Sequence, residues 1–228
     1  MDPERWSRYA QAAMEAGALR TTFDNWTYQA TTLGYMLQWQ PPPARVISIG
    51  CGVGWFDILL LAWGYQVTSV DNDAEVLEAA ERLGQRFGVE RDLQQADAFD
   101  LLRFHDRYDI AYSGGLVEHW NGERTTELIA EHARCAPRVQ VEVPTVHTLR
   151  LPEGMPEVLA DAKLYRPREF VARVRAAELT INKVYPIGSV PIRTRVWLEN
   201  LMPPFLFRRF QLLSGLSMGV GCVASRTR

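Results

Sequence analysis

The sequence predicts an α/β fold: a doubly wound, mostly parallel seven-stranded sheet with an antiparallel last strand and a helical cap at its N-terminus. Three observations predict it. From Arg45 onward, short β-branched runs alternate with helical ones, the pattern of βαβ units around a parallel sheet. The first of these runs, Val46-Ile47-Ser48-Ile49, leads directly into a glycine loop, Gly50-Cys51-Gly52-Val53-Gly54. Two late β-branched runs, near 179–187 and 217–225, are separated by an aromatic, proline-containing insertion over 191–213 and read as an expanded hairpin.

The prefix 4–39 reads as two helical segments. Trp6, Tyr9, Ala13 and Ala16 fall near helical spacing in the first, and the second runs from about Asp24 to Trp39 before Pro41-Pro42-Pro43 stops it. Strands are expected at 45–50, 66–70, 92–96, 107–112 and 138–143. Between the second and third lies an amphipathic helix, with Val76, Leu77, Ala80, Leu83 and Phe87 on one face and Glu75, Glu78, Glu81 and Arg82 on the other. Gly88 suits its end, because glycine adopts the left-handed conformation that closes a helix. A further helix is expected near 167–177. The chain is read as one domain over 1–228, with a cap at 1–41, a core at 44–143 and substrate-side insertions and terminal strands over 144–228.

Composition narrows the function. With 47% apolar and 23% charged residues the 228-residue chain is globular, and at this length a core needs no disulfide staples. Cys51, Cys135 and Cys222 are far apart and form no CxxC pair, which fits a reduced compartment. Asp2 and Glu4 stand where a signal peptide carries positive charge, and no apolar run reaches the roughly 20 residues of a bilayer span. The expectation is a cytoplasmic protein without stable membrane insertion. The net charge of −2 argues against nucleic-acid binding. It hides an asymmetry: residues 1–143 hold 12 Lys/Arg against 21 Asp/Glu, and residues 144–228 hold 13 against 6. The basic second part is either a pair of solvated faces or an attractor for an anionic substrate or surface.

The glycine loop carries the chemistry. Such a loop exposes backbone N–H groups and lets a ligand approach the main chain. Asp71 ends the next strand, Val67-Thr68-Ser69-Val70-Asp71, where a carboxylate can accept both hydroxyls of a ribose. A dinucleotide fingerprint needs a third glycine that permits close helix packing beneath a pyrophosphate, and the bulky Trp55 after Gly54 speaks against it. The G-x-G-x-G spelling resembles motif I of the class I S-adenosylmethionine-dependent methyltransferases, a Rossmann-like family.

The resemblance covers about residues 45–143. It implies S-adenosyl-L-methionine as cofactor, with Gly50, Cys51 and Gly52 at the loop, Asp71 and Asn72 at the ribose, Asp97 beside the adenine amino group with Ala98 and Phe99 as ring neighbours, and Ser113 and Gly114 on the methionine side. The chain departs from the family at Ser48, where members carry Asp or Glu; Tyr9, Arg20 or Tyr28 of the prefix are candidates to complete the amino-acid contacts. His119, in Gly115-Leu116-Val117-Glu118-His119-Trp120, lies just past the fourth strand and is the candidate general base, the alternative being a brace for the helix start. A similar Glu-His pair joins an earlier Glu in binding a divalent metal in the ubiquinone-biosynthesis O-methyltransferases, but that position is Gly115 here, so no metal is expected. The expected acceptor is a small molecule methylated most readily on oxygen, with nitrogen or carbon next, and Tyr9, Trp26 and Tyr28 are candidates to contact it. The aromatic prefix is also a candidate homodimer surface. The rivals are a cofactor-binding scaffold without turnover, a nicotinamide-dependent oxidoreductase, and a lipid- or RNA-directed methyltransferase using the basic tail.

Overall fold

The computed structural model describes residues 18–146, 161–188 and 219–227, together with Arg8, Pro203 and Leu206; side chains before residue 29 are described only at Arg8 and Trp26. Tyr9, the side chain of Tyr28 and nearly all of the 191–213 insertion lie outside the described residues.

Helix α1 (Ala18–Trp39) is followed by β1 (Arg45–Ile49), α2 (Trp55–Ala62), β2 (Gln66–Asp71), α3 (Ala74–Phe87), β3 (Asp92–Gln95), β4 (Ile110–Gly114), α4 (Glu123–Cys135), β5 (Arg138–Pro144), α5 (Pro167–Ala176), β6 (Leu179–Ile187) and β7 (Gly219–Arg226). The seven strands form one sheet in the order β3-β2-β1-β4-β5-β7-β6. All pairs from β3 to β5 are parallel, and β7 runs antiparallel to both of its neighbours. This is the expected Rossmann-like α/β sheet. The fourth strand starts three residues later than the pattern suggested. Asp109 stands just before it, tied to the head of β1 because its carboxylate accepts the Arg45 N–H at 2.8 Å.

Strand alternation divides the core in two. On one face, Leu33 and Met36 of α1 and Phe56 and Leu60 of α2 cover Val46, Val67 and Ile110. On the other, Leu128 and Ile129 of α4 and Phe170 and Val174 of α5 cover Val139 and Val141. Helix α3 starts and stops where its chemistry dictates. The Asp73 carboxylate accepts the N–H groups of Glu75 and Val76, and Gly88 closes the C-terminus at φ 66°. The crossovers leave the carboxyl ends of β1, β2, β4 and β5 along one edge, where open α/β sheets place their ligands.

Candidate active site

The glycine loop is a rigid turn. Gly50, Gly52 and Gly54 have φ of 64°, 55° and 72°, the left-handed region that glycine adopts without strain. The Cys51 N–H donates to the Val70 carbonyl (3.0 Å), and the Gly54 N–H to the Cys51 carbonyl (3.0 Å). Gly54 has a second reason to be glycine: a Cβ there would lie 2.0 Å from the Arg91 guanidinium. That guanidinium is fully buried beneath the loop. It donates to the carbonyls of Val53 (2.9 Å) and Ala80 (3.0 Å), to the Asp57 carboxylate (2.9 Å) and to the Ser69 hydroxyl (3.0 Å). The Ser69 hydroxyl in turn donates to Asp57 at 2.6 Å. Loop, helix start and second strand are thus pinned by one charge cluster. Pattern reading missed it, because Asp57 and Arg91 lie 34 residues apart and look like ordinary surface charges.

Asp71 stands beside the loop. One carboxylate oxygen accepts the Gly52 N–H (3.0 Å) and the other the Asp73 N–H (3.2 Å). Burial pushes this carboxyl up from its ordinary value, and the N–H donors partly offset the shift. Each oxygen keeps lone-pair capacity for an incoming hydroxyl. A Cβ at Gly52 would meet nothing within 4 Å, so the backbone there faces open space next to the carboxylate. These residues fit the nucleoside end of S-adenosylmethionine. Diphosphate fits poorly: the first turn of α2 holds the Asp57 carboxylate, and Trp55 is buried against Ile58, Ala79 and Leu83, where a dinucleotide fold needs its third glycine.

The other predicted positions divide by what their side chains already hold. Asn72 is exposed next to Asp71. Asp97 is exposed at the end of β3, and its carboxylate accepts the Phe99 N–H (2.9 Å), a local turn contact. Ala98 and Phe99 are half-buried; the Phe99 ring meets Trp120 edge-on at 5.1 Å, with the Arg124 guanidinium 3.9 Å above it. The Cys51 thiol is pushed well up by burial and by the neighbouring acids Asp57 and Asp71, which suits a structural thiol. Ser113 points to the opposite face of the sheet from Gly114, as strand alternation requires, and only its backbone borders the edge. Its hydroxyl lies 2.9 Å from His132 Nε2. Burial holds His132 near a pKa of about 4, so it is neutral; with its Nδ1–H given to the Leu128 carbonyl (2.7 Å), Nε2 accepts the Ser113 proton. Trp26 sits behind the loop, donating its indole N–H to the Trp55 carbonyl (3.3 Å) and packing on Phe87.

Past β4 the chain turns through a short 3₁₀ segment, Val117–His119. The His119 side chain is 1% exposed, and its Nδ1 lies 3.1 Å from an Asp161 carboxylate oxygen. A carboxylate only accepts, so Asp161 fixes the proton on Nδ1 and makes Nε2 the basic nitrogen. Two carboxyls are buried here, Glu118 within the segment and Glu142 beside it. Glu142, near the end of β5, accepts from the hydroxyls of Tyr185 (2.7 Å), Tyr112 (3.3 Å) and Thr32 of α1, and burial raises it to a pKa of about 7. Glu118 is raised to about 8, first by burial and then by the charges of Asp161 and Glu142. Among the described residues no group of three or more His, Cys, Asp or Glu is arranged to hold a metal, and no described helix is long and apolar enough to cross a membrane.

Residues 46–137 match the family described as a methyltransferase domain. No curated protein matches the sequence. Many solved structures share the fold. The magnesium protoporphyrin IX methyltransferase of Synechocystis PCC 6803, solved with S-adenosylmethionine, is 15% identical, with 98% of this chain and 90% of that one covered at a TM-score of 0.63. A chain from the complex of the Haloferax volcanii Trm112 methyltransferase activator with a methyltransferase is 16% identical, with 98% of each chain covered at 0.65. The geranyl diphosphate C-methyltransferase of Streptomyces coelicolor is 14% identical, with 88% and 80% covered at 0.59. The glycine loop and the carboxylate beside it lie within the segment that matches the methyltransferase-domain family, on a sheet order shared with these methyltransferase structures.

Proposed function

We propose that the protein methylates an oxygen of a small-molecule acceptor, with His119 as the base that takes the acceptor's proton. The observation that carries this reading is the His119–Asp161 pair at the carboxyl edge of the sheet. S-adenosylmethionine, when bound, supplies a methyl on a positively charged sulfur, which needs no further activation. The protein then has to hold a hydroxyl in line behind that methyl, keep water away and remove one proton. His119 Nε2 would hold and then accept the acceptor's hydroxyl proton as the methyl is transferred. A side chain buried to 1% exposure favours an acceptor small enough to enter a pocket over a macromolecular surface.

The test is radiolabelled methyl transfer to a panel of hydroxylated metabolites, comparing wild type with His119→Ala. We expect kcat to fall by about 10²–10⁴ in the variant, with S-adenosylhomocysteine binding within about twofold of wild type. Undiminished turnover across pH would leave His119 as a brace for the start of α4.

A further inference from the structure

Among the described residues, Glu118 is a buried carboxyl at the carboxyl edge whose burial no side chain compensates. It is 1% exposed, and among the described residues neither carboxyl oxygen has a well-formed hydrogen bond, the one donor acting on it being its own backbone N–H, which only partly offsets the burial. An ionisable group taken out of water without a side-chain partner is unfavourable, so such a residue calls for a ligand. Its surroundings indicate the sign of that ligand. The charged groups that act on it, Asp161 and Glu142, are both acids. Lys163, whose backbone reaches this segment, has its Nζ paired with Glu169. Lys163 meets this segment only through its backbone N–H, which donates to the Glu118 carbonyl at 2.8 Å.

Position indicates which cation. A Cβ on Gly115 would lie 3.7 Å from Glu118 Oε1, and Gly115 directly continues β4. On the neighbouring strand Ser48, in register with Tyr112 of β4, brings no charge to this end. We infer that Glu118 recognises the cationic methionine end of the cofactor, its sulfonium or its ammonium, and supplies the negative charge that the first strand lacks. The inference rests on reading this edge as the S-adenosylmethionine site. Because burial without a partner favours the protonated acid, cation binding expels a proton, and affinity rises with pH until the free carboxyl is ionised near pH 8.

The experiment is calorimetric titration of wild type and Glu118→Gln with three ligands: S-adenosylmethionine, S-adenosylhomocysteine, which lacks the sulfonium charge, and 5′-methylthioadenosine, which lacks both cationic groups. Gln keeps the shape of a protonated Glu, and a thermal melt confirms that the variant folds. We expect S-adenosylmethionine affinity to fall at least about tenfold in the variant at pH 8, with 5′-methylthioadenosine unchanged. A parallel fall for S-adenosylhomocysteine identifies the ammonium as the partner, and its absence identifies the sulfonium. Equal losses for all three ligands, or none for any, overturn the inference. Should wild type bind none of them, the cofactor reading itself fails, which is a different result.

Discussion

The two sides of the sheet treat buried charge in opposite ways. Beside β1 and β2 the charges of the loop are matched: Arg91 meets Asp57, Ser69 and two carbonyls, and Asp71 is held by two backbone N–H groups. At the carboxyl ends of β4 and β5 the buried Glu142 and Glu118 have no cation among the described residues. There Glu142 is held by hydroxyls, and Glu118 by no side chain. A closed network specifies one geometry, which suits a loop whose exposed backbone must keep one shape. An open one stores unfavourable electrostatics that a ligand can relieve.

The sharpest way to break this contrast is to open the closed side. Asp57→Ala strands the Arg91 guanidinium in the core and should cost about 3–5 kcal/mol, read as a shift in the urea midpoint. Replacing both partners, Asp57→Leu with Arg91→Met, should recover most of that loss. If the single substitution costs under about 1 kcal/mol, the cluster does not brace the loop.

On the open side, pH takes the place of mutation. The pKa of Glu142 is raised in the folded protein from its ordinary 4.5 to about 7, so the native state holds a proton that the unfolded chain has released. Its stabilising contribution is complete below about pH 4.5 and is lost as pH rises toward 7, and Glu118 extends the decline toward 8. The loss for Glu142 is on the order of 3 kcal/mol. Glu142→Gln should flatten the fall in urea stability across that window, and a slope identical to wild type would contradict the assignment. A smaller effect belongs to the tie between α1 and the sheet: Thr32→Val removes one hydroxyl from Glu142 and should cost about 1–2 kcal/mol.

The same division explains what was legible in the sequence. Local chemistry announces itself: the β-branched run before Gly50, the carboxylate ending β2 and the Gly88 stop all sit within a few residues of what they control, and each is where pattern reading puts it. Groups joined by topology do not. Arg91 and Asp57 look like solvated charges until β3 is laid beside β2. Thr32 and Glu142 lie 110 positions apart. The Glu118-His119 pair was visible as a motif, but its two members part ways only in three dimensions, His119 toward Asp161 and Glu118 into isolation. Ser113, expected just past a fourth strand at 107–112, lies inside β4, and its side chain faces His132 of the helix behind the sheet.

The central claim is that the Gly52–Asp71 edge holds the nucleoside of S-adenosylmethionine. Titrating S-adenosylhomocysteine into wild type and Asp71→Ala tests it most directly. The account predicts binding to wild type and a loss of about 100-fold in the variant, the weight of two hydrogen bonds to a charged group. An unchanged dissociation constant would contradict it.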